Sequence, residues 1–145
     1  MRYIDTEILI DAPPPQVWKH LIDWESYADW IPLIHRIQGE PVEGARLEAT
    51  VQPAGGNSMD IAPMVVVVRP NEELRWIGKL LIPGLFSGEH SFHLKPVDGN
   101  RTQFRRAEKF TGLLVPLMWG SFGPGTTEGF NLMNEALKTR VENEI

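Results

Sequence analysis

The sequence predicts an α+β fold in which a curved antiparallel sheet of six to seven strands wraps around a long C-terminal helix. Residues 4–23 read as a short strand that runs into a proline-opened amphipathic helix. Residues 126–143 repeat apolar side chains at helical spacing, and between the two segments the sequence alternates in short stretches separated by turn residues. Long neighbouring strands twist strongly, so we expect such a sheet to curve and to leave a cavity beneath the helix.

Two short helices are predicted directly after the first strand. That strand covers residues 3–10, and its alternating isoleucines share one face. Pro14 and Pro15 suit the first turn of the following helix, where no backbone N–H is needed. Asp23 is placed to cap the second short helix, residues 24–30.

The middle of the chain supplies the remaining strands. Turn-like breaks separate six candidates, which are residues 34–38, 46–52, 59–69, 74–82, 86–97 and 101–110. Residues 119–125 contain three glycines and a proline, and we expect a flexible connection there. One apolar face of the final helix then carries Phe130, Met133, Leu137 and Val141.

Composition narrows the class of protein. The chain has 145 residues, which predicts a single domain over residues 1–145. A net charge of −5 argues against nucleic-acid binding, and the absence of cysteine excludes disulfides and thiolate sites. The longest apolar stretch, residues 61–68, is too short for stable membrane insertion. The N-terminus lacks the apolar core of a signal peptide, so we expect a cytoplasmic protein.

Strand periodicity brings three polar side chains to an apolar face. In residues 86–97, His90 lies on the same face as Phe92, and in residues 101–110 Arg106 lies on the same face as Glu108. A hairpin between these strands places His90 opposite Glu108 and Phe92 opposite Arg106. Three explanations are open for His90, Arg106 and Glu108. They form a structural cross-strand ion pair, they contact a ligand, or His90 and Glu108 act as an acid–base pair.

We expect no metal and no cofactor. His90 and His93 are three residues apart on a strand, so their rings point to opposite faces and cannot chelate together. The chain contains no dinucleotide-binding, phosphate-loop, zinc-protease or serine-hydrolase motif.

The candidate ligand contacts are mostly aromatic or apolar, and for each of them core packing is the alternative explanation. Gly78, inside a strand, leaves room for a ligand or a bulge. The full set is Tyr27, Trp30, Trp76, Gly78, His90, Phe92, Arg106, Glu108, Trp119, Phe130 and Met133.

Four segments carry a resemblance to a known family. They are residues 8–18 (ILIDAPPPQVW), 24–32 (WESYADWIP), 84–94 (GLFSGEHSFHL) and 104–114 (FRRAEKFTGLL). In this order, the chain resembles the helix-grip fold of the START/Bet v 1-like superfamily, which includes polyketide cyclase/dehydrase-like and lipid-transport proteins. None of the four segments is a catalytic signature, and a shared fold does not specify a reaction.

The resemblance implies binding or transport of a small hydrophobic molecule that is lipid-like, polyketide-like or isoprenoid-like. One alternative is a cyclase, aromatase or dehydrase, in which His90 and Glu108 move protons. Another is a chaperone-cofactor-like module that binds a protein partner. The sequence leans against an enzyme, because it offers only one plausible acid–base pair.

Overall fold

The computed structural model describes residues 1–31, 33–52, 57–80 and 84–144. A 3₁₀ turn at Trp24–Ser26 precedes the second helix. The helices are α1 (Pro14–Leu21), α2 (Tyr27–Trp30) and α3 (Val115–Glu142). The strands are β1 (Arg2–Ile10), β2 (Ile34–Gln38), β3 (Glu48–Val51), β4 (Met59–Ile61), β5 (Met64–Arg69), β6 (Glu73–Leu80), β7 (Phe86–Val97) and β8 (Arg101–Thr111).

Within these ranges the strands form two antiparallel sheets. Five strands pair in the order β1-β8-β7-β6-β5, and three pair in the order β2-β3-β4. The sheets meet where the Leu47 N–H donates to the Pro63 carbonyl and the Val65 N–H donates to the Ala45 carbonyl, both at 2.8 Å. The α+β class, the curved antiparallel sheet and the C-terminal helix predicted from the sequence are confirmed.

The structure divides the predicted strand 59–69 into two, so the described residues form eight strands rather than six or seven. β4 ends at Ile61 and β5 begins at Met64. Pro63 lies between them and has no N–H to donate to a neighbouring strand, while its carbonyl accepts the bond from Leu47. The predicted end of β6 at residue 82 lies outside the described residues.

α3 is longer than predicted, because the segment expected to be flexible is helical. It contains 28 residues and reaches about 42 Å at 1.5 Å per residue. Pro124 lies inside it. A Cβ added at Gly123 would lie 2.9 Å from the Trp119 ring, whereas one at Gly120 would meet nothing within 4 Å. Close packing of an indole, rather than a hinge, accounts for the glycine at 123.

The core lies between α3 and the inner face of the five-stranded sheet. The predicted apolar face of α3 is confirmed, because its four apolar residues are all buried. Burying each such side chain contributes roughly 1.5–3 kcal/mol. Alternation in β7 also follows the prediction, with even-numbered residues buried from Phe86 to Leu94. These two faces set the surroundings of the candidate site.

Candidate functional site

The predicted cross-strand register of β7 and β8 is confirmed. His90 pairs with Glu108, and Phe92 pairs with Arg106. His90 Nδ1 lies 3.0 Å from Glu108 Oε1. A carboxylate has only acceptors, so Nδ1 carries the hydrogen and donates it. His90 Nε2 lies 3.5 Å from an Arg106 nitrogen, which has only donors, so Nε2 accepts. Both ring nitrogens of His90 therefore face protein groups.

Burial keeps His90 neutral. Its pKa is lowered chiefly by desolvation, and Arg106 lowers it further, while Glu108 acts in the opposite direction. The neutral imidazole agrees with the donor and acceptor roles assigned from the geometry.

Arg106 is a buried cation at the centre of the inner face. Its Nε donates to Asn134 Oδ1 at 2.7 Å, and its guanidinium lies 4.8 Å from the centre of the Phe92 ring. Burial lowers the pKa of Arg106 to about 10, and the negative charge of Glu108 acts in the opposite direction. Among the described residues, no carboxylate forms an ion pair with Arg106. Its charge is therefore satisfied by polar neighbours and an aromatic face.

Two members of this polar network were missed from the sequence. Asn134 Nδ2 donates to Thr6 Oγ1 at 2.8 Å, and Thr6 Oγ1 donates to the Arg106 carbonyl at 2.9 Å. Asn134 is 1% exposed. A signal was present, because Asn134 lies four residues after Phe130 and three before Leu137 on the apolar face. A polar residue within an apolar stripe indicates a buried partner.

An aromatic cluster packs beside His90. The Trp76 ring centre lies 5.4 Å from the His90 ring centre and 5.1 Å from that of Phe92. Phe130 of α3 lies 5.0 Å from His90, and Trp24 lies 6.0 Å from Trp76. Phe92 is 1% exposed, whereas Trp76 is only partly buried. Trp76 is therefore the ring of this cluster with more surface open to a ligand.

Two paired glycines interrupt the side-chain layer next to this cluster. Gly78 of β6 pairs with Gly88 of β7. This pair lies two residues along the strands from the Trp76–His90 pair, on the same face. A Cβ at Gly78 would have Pro63 as its nearest neighbour, at 4.0 Å. A Cβ at Gly88 would lie 2.1 Å from Glu108 Oε2. We call the inner face over Gly78 and Gly88 the glycine strip.

Aromatic residues also bound the other end of the glycine strip. Phe110, the register partner of Gly88, lies 5.9 Å from Phe86 between ring centres. Trp119 of α3 lies 5.6 Å from Phe110, and the Arg2 guanidinium lies 5.7 Å from the Trp119 ring. Trp119, a predicted ligand contact, thus packs at this end of the glycine strip.

Two predicted contacts lie away from the glycine strip. The buried Tyr27 hydroxyl donates to the Leu21 carbonyl, and desolvation raises its pKa. Trp30 Nε1 donates to Ser26 Oγ at 2.9 Å, and Arg140 lies over its ring at 5.8 Å. Trp30 lines a separate concavity of about 630 Å³, together with His20, Glu135, Ala136, Thr139, Arg140, Asn143 and Glu144. The last predicted contact, Met133, is buried on α3 next to Asn134.

The remaining chemistry of the described residues is limited. They contain no group of three or more histidine, aspartate or glutamate side chains arranged to hold a metal ion. Within the described part of the chain, no helix combines the length and apolarity needed to cross a bilayer.

This geometry defines the class: a helix-covered curved sheet, with an aromatic inner face and a small number of converging polar groups. The chain belongs to the family described as polyketide cyclase / dehydrase and lipid transport, whose model matches residues 1–142. The comparison with curated proteins found no significant match.

Solved structures show the same fold. A START superfamily protein from Mycobacterium smegmatis is similar at 19% identity, with 99% of each chain covered and a TM-score of 0.76. A Mesorhizobium loti protein is similar at 22% identity, 99% coverage of each chain and a TM-score of 0.76. The Zhui aromatase/cyclase from Streptomyces sp. R1128 is similar at 20% identity over 97% of this chain and 93% of its own, with a TM-score of 0.66.

Proposed function

We propose that the protein binds a small hydrophobic molecule over the glycine strip, between the five-stranded sheet and α3. The observation that carries the proposal is the Gly78–Gly88 pair, which removes two adjacent side chains from an otherwise aromatic inner face. Glycine in the interior of a strand destabilises it and is typical of places where another group approaches the backbone closely. Gly88 makes room for the Glu108 carboxylate, and Gly78 beside it leaves space in which no protein atom lies nearer than 4.0 Å, which favours a bound group there.

Affinity comes from the apolar walls of the glycine strip. Trp76 lies at one end and is partly exposed, so it offers a flat face to an apolar ligand, while the buried Phe110 closes the other end. Burying apolar surface contributes about 25 cal/mol per Å². The polar groups at the edge supply orientation, which is the usual division of labour in small-molecule sites.

A variant with a side chain added in the glycine strip tests this proposal. Gly78→Val adds a side chain where nothing lies nearer than 4.0 Å, and valine suits a strand. Lys79→Val is the matched control, because Lys79 is exposed on the opposite face of the same strand. The probe is N-phenyl-1-naphthylamine, a neutral hydrophobic dye whose fluorescence rises in apolar sites.

We expect Gly78→Val to weaken dye binding by about tenfold or more, because the valine side chain occupies the space that an aromatic ring of the dye would fill. Lys79→Val is expected to bind the dye as the unaltered protein does. Circular dichroism confirms that both variants are folded. Equal dye affinity in a folded Gly78→Val variant contradicts the proposal.

A second candidate function is a cyclase or dehydrase, favoured by the Glu108 carboxylate that lies over Gly88 in the glycine strip. The Glu108 side chain is 18% exposed, and His90 holds its Oε1. An oriented carboxylate next to a ligand is placed to remove a proton from carbon beside a carbonyl. His90 is less suited to act as the base, because protein groups face both of its nitrogens.

This second candidate predicts that Glu108→Gln abolishes turnover of a linear poly-β-ketone thioester, followed by absorbance of the aromatic product. Glu7→Gln is the control, because Glu7 is exposed on the outer face of β1. Equal rates in the two variants exclude Glu108 as the base.

A further inference from the structure

One carboxylate oxygen of Glu108 receives no hydrogen bond from the described residues. Oε1 accepts from His90, whereas no described residue donates a hydrogen bond to Oε2. Within the described part of the chain, Arg75 Nε is the only fully buried side-chain nitrogen or oxygen without a hydrogen-bond partner. Since Oε2 also has no partner, it is not fully buried and is reached by solvent. The carboxylate lies over Gly88, where a Cβ would be 2.1 Å from Oε2. Gly88 therefore lets Glu108 present Oε2 to the glycine strip.

The charge balance of the inner face restricts what can approach Oε2. On β6, β7 and β8, the described inward-facing residues carry one cation, Arg106, and one carboxylate, Glu108. His90 between them is neutral, because burial lowers its pKa. A cationic ligand would leave this region with a net positive charge, and an anionic ligand would be repelled by Glu108. A neutral hydrogen-bond donor satisfies Oε2 and keeps the two charges balanced.

The neighbouring surface specifies the rest of the ligand. Trp76 is adjacent to Gly78 on the inner face and is partly exposed, and its ring offers a flat apolar contact. An aromatic ligand over the uncovered backbone of Gly78 reaches this ring while its edge faces Glu108.

We infer that the protein selects a flat, neutral, hydroxylated aromatic molecule whose hydroxyl group donates a hydrogen bond to Glu108 Oε2. This inference rests on the proposed function and deepens it, because it names the chemical class of the ligand and the atom that recognises it.

Four naphthalene derivatives test the inference by isothermal titration calorimetry. 2-Naphthol has the donor, and 2-methoxynaphthalene has nearly the same shape without it. 2-Naphthylmethylammonium and 2-naphthoate add a positive or a negative charge. Because a hydrogen bond to a charged group is worth about a tenfold gain in affinity, we expect 2-naphthol to bind about tenfold more tightly than 2-methoxynaphthalene. We also expect it to bind more tightly than either charged compound.

Glu108→Gln assigns this preference to the carboxylate. It keeps an oxygen for His90 and removes the charge, so the preference for 2-naphthol over 2-methoxynaphthalene should fall to about threefold or less, as for a hydrogen bond between neutral groups. Glu7→Gln, on the outer face, should keep the full preference.

The outcomes separate the inference from the proposed function. If neither 2-naphthol nor 2-methoxynaphthalene binds, the proposed function fails and the inference fails with it. If both bind equally, or if Glu108→Gln keeps the full preference, the inference is wrong and the hydrophobic site stands. Tighter binding of the ammonium or the carboxylate than of 2-naphthol overturns the neutral class.

Discussion

Asn134 accepts a hydrogen bond from the buried cation Arg106. Replacing Asn134 with alanine measures how much this interaction contributes to the free energy of unfolding. The change removes the acceptor of Arg106 Nε and the donor to Thr6 Oγ1. A hydrogen bond to a charged group contributes about 1.5–3 kcal/mol and one between neutral groups about 0.5–1.5 kcal/mol. Because no described carboxylate pairs with Arg106, we expect Asn134→Ala to lower the free energy of unfolding by about 2–4 kcal/mol.

Asn131→Ala is the matched control for this experiment. Asn131 lies on the same helix, one turn earlier, and is exposed. The intrinsic gain of alanine over asparagine in a helix applies equally to both variants and cancels in the comparison. Urea unfolding measures both free energies, and the m-values should agree with that of the unaltered protein. A difference between the two variants below about 1 kcal/mol would refute the network as a stabilising element.

Three further predictions concern pH, packing and charge. Because the pKa of His90 is lowered in the folded protein, the unfolded chain binds a proton at a higher pH than the folded protein does. The free energy of unfolding should therefore be unaffected by His90 above about pH 6.5 and should fall as the pH drops toward the folded pKa. His90→Gln should reduce this loss, which urea midpoints at about pH 7.5 and 5.5 measure. Gly123→Ala should lower the melting temperature, since its Cβ would lie 2.9 Å from the Trp119 ring, whereas Gly120→Ala, which meets nothing within 4 Å, should raise it by removing backbone freedom worth about 0.5–1 kcal/mol. Asn134→Asp should recover most of the stability lost in Asn134→Ala, because its carboxylate gives Arg106 Nε a charged acceptor; equal melting temperatures for these two variants would contradict that role.

The sequence predicted those parts of the site that depend on strand periodicity. The alternation in β7 and the turn at Asp98 and Gly99 determined that His90 faces Glu108, because a hairpin with a short turn has a single register that keeps both apolar faces inward. The apolar stripe of α3 was likewise readable, since one buried face repeats every three to four residues.

What the sequence did not predict depends on tertiary placement. The bond from Arg106 to Asn134 requires the angle at which α3 crosses the sheet, and no local pattern contains that angle. The helix across residues 119–125 carries Trp119, whose ring packs on Phe110 of β8, and the low helix propensity of glycine contains no information about this contact between distant residues. Gly88 was overlooked because its role appears only when it pairs with Gly78 and lies beneath Glu108.

A crystal structure of the protein with 2-naphthol bound tests the central claim most directly. The glycine strip beside Trp76 and the outer concavity beside Trp30 each offer an aromatic ring to a ligand. We predict density for the naphthalene rings over Gly78, with the hydroxyl oxygen about 2.5–2.7 Å from Glu108 Oε2. Rings found in the outer concavity, with side chains closed over an empty glycine strip, would contradict the account.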